Sequence, residues 1–165
     1  MPVKRVHVSG SGRTEAQTVD VWGAIDRVGG HCGDIVVTVD GETTVPVVLE
    51  VLIEHGAHAA VVIEDGKPVG VISLTDISRA VSEDRVSLSP EGAAFDPSFD
   101  PEVHARDVMH APAVVCQAAE DLKTVSARMS SENVHQLPVV DENGEVVGVL
   151  RSIDVLRAWS ASPNA

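Results

Sequence analysis

A seven-residue pattern that could hold a polar ligand occurs twice in this chain. It reads Gly-x-x-Ser-x-x-Asp over residues 70–76 and Gly-x-x-Arg-x-x-Asp over residues 148–154. Each copy follows an apolar run and precedes a helical pattern, which places its aspartate in the first turn of a helix. Backbone N–H groups at a helix start attract phosphate, and a carboxylate accepts two hydrogen bonds from a vicinal diol. The pattern therefore indicates either two polar binding sites or two helix starts that need no ligand.

The two copies differ in how well they fit a purely structural role. Ser73 and Asp76 have the spacing of a capping box, in which each side chain bonds the backbone N–H of the other residue. Arg151 has no side-chain acceptor for this purpose, although Asp154 keeps its favourable place near the positive end of the helix dipole. Two alternatives follow for Arg151: its guanidinium binds phosphate in the second site, or its bulk fills that site.

The doubled pattern belongs to a longer internal repeat. His58 matches His135 at an offset of 77 residues, whereas Gly70 matches Gly148 at an offset of 78. We expect the additional residue in the turn at 141–144, because a hairpin loop tolerates a change of length. A repeat of this kind indicates two similar structural units.

Each unit shows the order strand, helix, strand, strand, helix. The predicted elements are strands at 36–39, 60–63 and 68–72 with helices at 45–53 and 73–81 in the first unit, and a strand at 113–116, helices at 121–131 and 155–159 and a hairpin at 137–150 in the second. β-Branched residues favour the strands, and apolar residues at i, i+3 and i+4 favour the helices, with Thr44 as an N-cap. A mixed α/β (α+β) fold is therefore predicted.

Other segments flank or join the units. The predicted organisation is a flexible arm and lead-in helix at 1–33, the two repeats at 34–81 and 103–159, a linker at 82–102 and a tail at 160–165. The arm is rich in Ser, Gly and charge up to residue 17, and the lead-in helix spans 21–28. Phe95 and Phe99 in the linker either pin a crossing loop to the core or dock a partner.

Composition narrows the classes of function. The formal charge of −13 opposes binding to nucleic acid and to an anionic membrane, since Lys and Arg supply most of that affinity. No apolar run approaches the roughly 20 residues of a membrane span, and no signal peptide is evident, so we expect a cytoplasmic protein. Cys32 and Cys116 have no metal-ligand spacing and are predicted to be core residues.

These motifs resemble a tandem pair of cystathionine β-synthase (CBS) domains, also called a Bateman module. The resemblance rests on the strand around Thr38, the apolar hairpins 61–73 and 138–151, and the doubled aspartate, and it covers most of the chain. It implies two β-α-β-β-α repeats packed sheet to sheet about a pseudo-twofold axis, with a cleft at each end of the interface. It also implies a homodimer, because such pairs commonly meet through their helices to form a flat disc.

The resemblance further implies which residues meet an adenine nucleotide. In the family the aspartate holds ribose hydroxyls and the Thr or Ser reaches ribose or phosphate, which places Ser73 and Asp76 in one site and Asp154 in the other. His58 and His135 precede the second strand of each repeat, where a histidine either lines the pocket or finishes a helix. The remaining candidates are Arg151 at the hydroxyl position, Thr38 on the first strand, and the apolar positions Ala60, Leu137 and Pro138 as walls for adenine.

The predicted function is regulatory or sensory binding. By resemblance, AMP, ADP or ATP would bind between the repeats, with S-adenosylmethionine and NAD as less favoured ligands, no obligatory cofactor and an unknown effector protein as the regulated partner. The alternative is a ligand-free dimerisation or interaction scaffold, which Arg151 and the net charge favour. The sequence contains no recognisable nucleophile–base motif or clustered metal ligands, so we do not expect an enzyme.

Overall fold

The computed structural model describes residues 1–24, 26–83 and 103–161. Within these ranges the elements are β1 (Pro2–Val8), β2 (Thr14–Asp20), β3 (Ile35–Asp40), α1 (Val45–His55), β4 (Ala59–Glu64), β5 (Lys67–Ser73), α2 (Leu74–Ser82), α3 (Ala105–Val108), β6 (Cys116–Gln117), α4 (Leu122–Ser131), β7 (Gln136–Val140), β8 (Val146–Arg151) and α5 (Ser152–Ser160). Residues 84–102 of the predicted linker, which include both phenylalanines, and the end of the predicted tail lie outside the described residues. No helix in these ranges is both long enough and apolar enough to cross a membrane.

The strands form two sheets of unequal size. One has the order β2-β1-β3-β4-β5 and the other the order β6-β7-β8. The hairpins β4–β5 and β7–β8 shift register at equivalent places, after Val62 and after Val139. The stretch between the pairs that follow is 64–67 in the first hairpin and 141–145 in the second, one residue longer. The predicted insertion in the second turn is therefore confirmed.

The inner strands of the first sheet are buried on both faces, and each face belongs to a different core. Alternate residues of a strand point to opposite sides, so Val36 and Val37 of β3 enter separate clusters. Val37 packs among residues of α1 and α2, whereas Val36 packs against Leu137 and Leu150 of the second sheet. The two repeats therefore pack sheet to sheet, as the sequence predicts.

The segment that leads into each repeat crosses to the other repeat, and the two crossings match. The Val28 N–H donates to the Glu120 carbonyl (3.1 Å), and the Ala105 N–H donates to the Thr43 carbonyl (2.8 Å). Each residue of one bond lies 77 positions from its counterpart in the other, which is the offset of the repeat. A second matched exchange joins Gly33 to Val149 and Val71 to His110. These reciprocal bonds establish the pseudo-twofold relation between the repeats.

The N-terminal segment is not the flexible arm that its composition predicts. β1 and β2 form an antiparallel hairpin, and β1 also pairs in parallel with β3. Val3, Val6 and Val8 are fully buried. The Ser-Gly-rich stretch is the hairpin turn, where Gly12 has a φ of 81° that favours glycine. The prediction was wrong because the Ser-Gly composition is confined to this turn, whereas the valines that precede it form a buried strand.

The predicted lead-in helix at 21–28 is also absent from the described residues of that segment. The chain runs irregularly to a short 3₁₀ turn at Val28–Gly30. The N–H groups of Val28 and Gly29 donate to carbonyls of the second repeat, at Glu120 and Ala118. A helix would have used such groups internally, so the crossing between repeats replaces it.

Two smaller expectations also change. Thr44 stands at the N-cap of α1 but makes no side-chain capping bond. The strand predicted at 113–116 is instead β6 at Cys116–Gln117. The Ala113 N–H donates to the Val69 carbonyl, so the residues before β6 run beside β5 of the first repeat and leave their own sheet.

Candidate functional site

A cleft of about 390 Å³ opens where the end of β5 and the start of α2 face the second repeat. Its lining residues are Val71, Ser73, Thr75, Asp76 and Arg79 from the first repeat and His110, Pro112, Ala113, Val114, Asn133, Val134, His135 and Gln136 from the second. Volumes of about 300–1,000 Å³ are typical of small-molecule sites. Both repeats therefore contribute to one cleft of ligand size, with a polar wall at Asp76 and an apolar wall at 112–114.

Asp76 is the buried carboxylate of this cleft, with only 6% of the residue exposed. Its Oδ2 accepts hydrogen bonds from the Ser73 N–H (2.8 Å) and the Ser73 hydroxyl (2.7 Å). In return the Asp76 N–H donates to Ser73 Oγ (3.1 Å). This is the predicted capping box, and it fixes the carboxylate at the start of α2.

The second oxygen of Asp76 meets a histidine that belongs to no sequence motif. His110 Nδ1 lies 2.8 Å from Asp76 Oδ1, and the His110 side chain is 66% exposed. The backbone of His110 exchanges two hydrogen bonds with Val71 of β5, at 2.9 and 3.0 Å. The repeat offset of 77 makes His110 the counterpart of Gly33, so the sequence does show that a histidine replaces a glycine here. His110 has no neighbouring residues at the spacing of a binding motif, so sequence reasoning did not select it.

The equivalent carboxylate of the second repeat has a different partner. Asp154 is also 6% exposed. Arg151 donates from Nε to Oδ2 (2.8 Å) and from Nη2 to Oδ1 (2.6 Å), and its backbone N–H donates to Oδ2 (2.9 Å). The hydrogen bond to Asp154 raises the pKa of Arg151. Both oxygens of Asp154 are therefore occupied by a residue three positions away.

Arg151 also fills space beside Gly33. A Cβ placed on Gly33 would lie 3.5 Å from the guanidinium carbon, so the group rests against the glycine backbone. Of the two alternatives for Arg151, this geometry favours filling of the second site. The two aspartates are thus alike in burial and unlike in the groups that neutralise them.

The structure places the two predicted histidines in different surroundings. His135 lines the Asp76 cleft. His58 does not line this cleft; its carbonyl accepts from the Leu74 N–H (2.9 Å), as the His135 carbonyl accepts from the Ser152 N–H (2.9 Å). Both histidines therefore occupy matched places beside the helix that follows β5 or β8.

The predicted apolar walls lie in the cores. Ala60 and Leu137 are 1% and 0% exposed, and Pro138 is buried as well. The structure instead places Pro112, Ala113 and Val114 on the apolar side of the cleft. Thr38 lies in a different cavity, beside His7.

The two cysteines contribute no reactive group to either repeat. Both are buried, and burial is the main cause that raises the pKa of Cys32 and of Cys116 to about 12. They remain protonated thiols near neutral pH, as expected for core residues.

The sequence is similar to that of known proteins. An uncharacterized protein of Methanopyrus kandleri, MK0525, is 26% identical over 125 residues, which are 75% of this chain and 57% of that protein. The chain therefore spans a little more than half the length of this curated relative.

Solved structures with the same fold include two that hold adenosine compounds. The CBS domain pair of protein MJ0100, in complex with 5′-methylthioadenosine and S-adenosyl-L-methionine, superposes with a TM-score of 0.67 at 22% identity, over 83% of this chain and 98% of that one. The cytosolic domain of the Mg²⁺ channel MgtE, in complex with ATP, superposes with a TM-score of 0.63 at 27% identity, over 82% of this chain and 49% of that one.

The family model of the CBS domain matches the chain twice, over residues 32–83 and 105–161. These segments hold the two strand–helix–strand–strand–helix units whose lead-ins exchange hydrogen bonds. Because the matches span more than half of the sequence, the chain belongs to the CBS domain family and is a tandem CBS pair.

Proposed function

We propose that this CBS pair is a regulatory module that binds one adenosine-containing ligand in the Asp76 cleft. The observation that carries the proposal is the state of Asp76. It is a buried carboxylate held by Ser73, and its Oδ1 meets an exposed imidazole across the cleft. The ligands of the solved relatives, methylthioadenosine, S-adenosylmethionine and ATP, share a ribose with a vicinal diol.

The lining residues suggest how such a ligand would lie. Rotation of the His110 side chain would release Asp76 Oδ1 for a ribose hydroxyl, while Oδ2 stays bonded to Ser73. The apolar stretch at 112–114 offers a flat surface for adenine. Arg79, one turn along α2, supplies a cation for phosphate, which favours AMP, ADP or ATP over S-adenosylmethionine, a ligand without phosphate.

Ligand binding at this place would bias the arrangement of the two repeats. The cleft takes its polar wall from the first repeat and its apolar wall from the second, so a bound nucleotide would contact both. Only a difference in affinity between two arrangements can transmit a signal. We therefore assign the output to a change in repeat geometry, detected by an effector protein outside this chain.

The second candidate function is a ligand-free interaction scaffold. The observation in its favour is that Arg151 already satisfies both oxygens of Asp154. A further observation is the exposed apolar side chains of α5, Ile153, Leu156 and Trp159. We propose that this helix face meets a second copy of the chain, and that the homodimer forms with or without nucleotide.

Isothermal titration with AMP, ADP, ATP, S-adenosylmethionine and NAD tests the primary proposal. We expect one of the nucleotides to bind with a stoichiometry of one per chain. Asp76→Asn should weaken binding by at least roughly tenfold, about 1.4 kcal/mol, because it removes a charge-assisted hydrogen bond. Asp154→Asn is the matched control and should leave affinity nearly unchanged. Absence of binding by all five compounds at millimolar concentration would favour the scaffold.

A further inference from the structure

A second cavity of about 390 Å³ lies on the face that the five-stranded sheet turns toward the smaller sheet. Its lining residues are Arg5, His7, Glu15, Ala16, Gln17, Thr38, Asp40, Ile63, Gly66, Glu145 and Val146. None of them lines the Asp76 cleft. Strands β1 and β2, which supply five of these residues, precede the part of the chain that matches the CBS family model.

This cavity exists because the two sheets differ in width and the shared face changes character along its strands. At one end Val3, Val19 and Val36 pack toward the second sheet. Two residues further along β1 the face becomes polar, since Arg5 pairs with Gln17 and then His7 pairs with Glu15. The three-stranded sheet covers the apolar end, and the polar end remains open beside Glu145 and Val146 of the second repeat.

Part of the cavity wall is fixed by an internal chain of hydrogen bonds. His7 Nδ1 lies 2.8 Å from Thr38 Oγ1, and His7 Nε2 lies 3.2 Å from Asp40 Oδ1. The Gly10 N–H donates to Asp40 Oδ2 (3.0 Å). His7 and Asp40 are therefore largely satisfied by their neighbours and serve as walls.

Arg5 is the group in this cavity whose charge lacks a counter-ion. Its Nη1 donates to the Val146 carbonyl (2.9 Å), and its Nε (2.8 Å) and Nη2 both donate to the side-chain oxygen of Gln17. Both acceptors are neutral, and no carboxylate among the described residues forms an ion pair with this guanidinium. A half-buried guanidinium that keeps one further N–H on each of Nη1 and Nη2, in a chain of charge −13, favours an anionic group of a ligand.

The carboxylates around Arg5 restrict which anion can enter. Glu15, whose Oε1 lies 3.8 Å from Nε of the exposed Arg13, lines the same space as Asp40 and Glu145, so a phosphate with two charges would meet more carboxylates than the one guanidinium of the cavity. A metal ion is disfavoured as well, because no group of three suitable ligands forms among the described side chains. A molecule with one carboxylate and one ammonium group satisfies both kinds of charge.

We propose that this cavity binds a small zwitterion of the amino-acid class, with its carboxylate on Arg5 and its ammonium group toward Glu145 and Glu15. The volume is within the range usual for small-molecule sites. The site would give the protein a second input, separate from the Asp76 cleft and carried by the N-terminal hairpin. It does not depend on the proposed nucleotide site.

Titration calorimetry with the twenty standard L-amino acids tests this site. We expect at least one to bind at micromolar to millimolar concentration. The deaminated carboxylic acid and the decarboxylated amine of that amino acid should each bind at least roughly tenfold more weakly, because each keeps only one of the two charges. Equal binding of the carboxylic acid alone, or no binding of any amino acid, would overturn the proposal.

Substitutions locate the binding within the chain. Arg5→Gln and Glu145→Gln should each weaken amino-acid binding, the first by at least roughly tenfold. Glu145→Gln provides a test that is independent of folding, because the Glu145 side chain is exposed, whereas Arg5 also bonds Val146. Asp76→Asn is the control and should leave amino-acid affinity unchanged. If Asp76→Asn lost amino-acid binding while Glu145→Gln kept it, the amino acid would bind in the Asp76 cleft, and the proposal would be overturned.

Discussion

At the scale of single residues, the two repeats neutralise equivalent buried aspartates with different partners. Asp76 and Asp154 are buried carboxylates at equivalent helix starts, and each needs a cation or a donor. Asp76 takes the exposed imidazole of His110, whereas Asp154 takes a bidentate guanidinium that is 29% exposed. Exposed pairs contribute about 0–1 kcal/mol, and loss of one partner of a buried pair costs about 3–5 kcal/mol. The first site therefore opens to a ligand at much lower cost.

Replacement of His110 by glycine should strengthen nucleotide binding. Glycine is the residue that the repeat places at the matching position, Gly33, and it removes the group that competes with ribose for Asp76. We expect affinity to rise by up to about fivefold, equivalent to about 1 kcal/mol, in calorimetric titrations. His58→Gly is the control for the same exchange at an exposed position outside the cleft. Weaker binding by His110→Gly would mean that the imidazole contacts the ligand directly.

The substitution Arg151→Ser should open the second site. It recreates at Asp154 the Ser-x-x-Asp capping box of the first repeat and removes the guanidinium that occupies both carboxylate oxygens. We expect the nucleotide stoichiometry to rise from one to two per chain. Arg157→Ser removes the other cation near Asp154, whose Nη1 lies 3.9 Å from Oδ1, and should leave the stoichiometry at one. An unchanged value in Arg151→Ser would show that Arg151 does not keep the site empty.

At the scale of elements, the N-terminal hairpin extends the first sheet by two strands. Its first strand contributes to both cores, since Val6 and Val8 join the helix-covered side and Val3 joins the side between the sheets. The opposite end of the same strand carries Arg5 and His7 into the second cavity. One short element therefore supplies stability at its apolar positions and a polar surface at its others.

Substitution of Val6 by alanine should destabilise the protein as a core substitution does. Val6 is fully buried, so the loss of two methyl groups and the remaining void should lower the free energy of unfolding by about 2 kcal/mol. Urea denaturation followed by circular dichroism measures the difference. Thr18→Ala, on the exposed side of β2, should stay within about 0.5 kcal/mol of the wild-type value. Equal stability of the two variants would restore the flexible-arm interpretation of residues 1–17.

The elements also show what the sequence could predict. The repeat has a strong periodic pattern and occurs in two copies, so its strand and helix order and the insertion in the turn at 141–144 were predictable. The capping box of Ser73 and Asp76 was predictable because it is local. The position of His110 was not, because it depends on a lead-in that crosses to the other repeat. The same crossing explains why the apolar spacing of Val21 and Val28 misled the helix prediction.

At the scale of the whole molecule, the exposed face of α5 predicts self-association. Light scattering should give about twice the monomer mass of 17.3 kDa, because Leu156 and Trp159 present apolar surface that a second copy would cover. Trp159→Asp should produce the monomer. Trp22→Asp, at an exposed tryptophan outside α5, is the control and should remain a dimer. A wild-type protein that scatters as a monomer at micromolar concentration would contradict the homodimer.

The reciprocal lead-ins bear on how such a molecule can arise and how it can be divided. Each repeat carries, ahead of its own first strand, the N–H groups that bond the carbonyls of the other repeat. Two separate chains, each one lead-in and one repeat, would offer these groups to each other about a true twofold axis, as in an isologous dimer. The hydrogen bonds between the repeats therefore determine how the two halves align. Duplication and fusion of an ancestor that paired with itself would have preserved this alignment. Fragments 1–83 and 103–161 retain every bond of this exchange, so they form a natural pair for reassembly from two polypeptides.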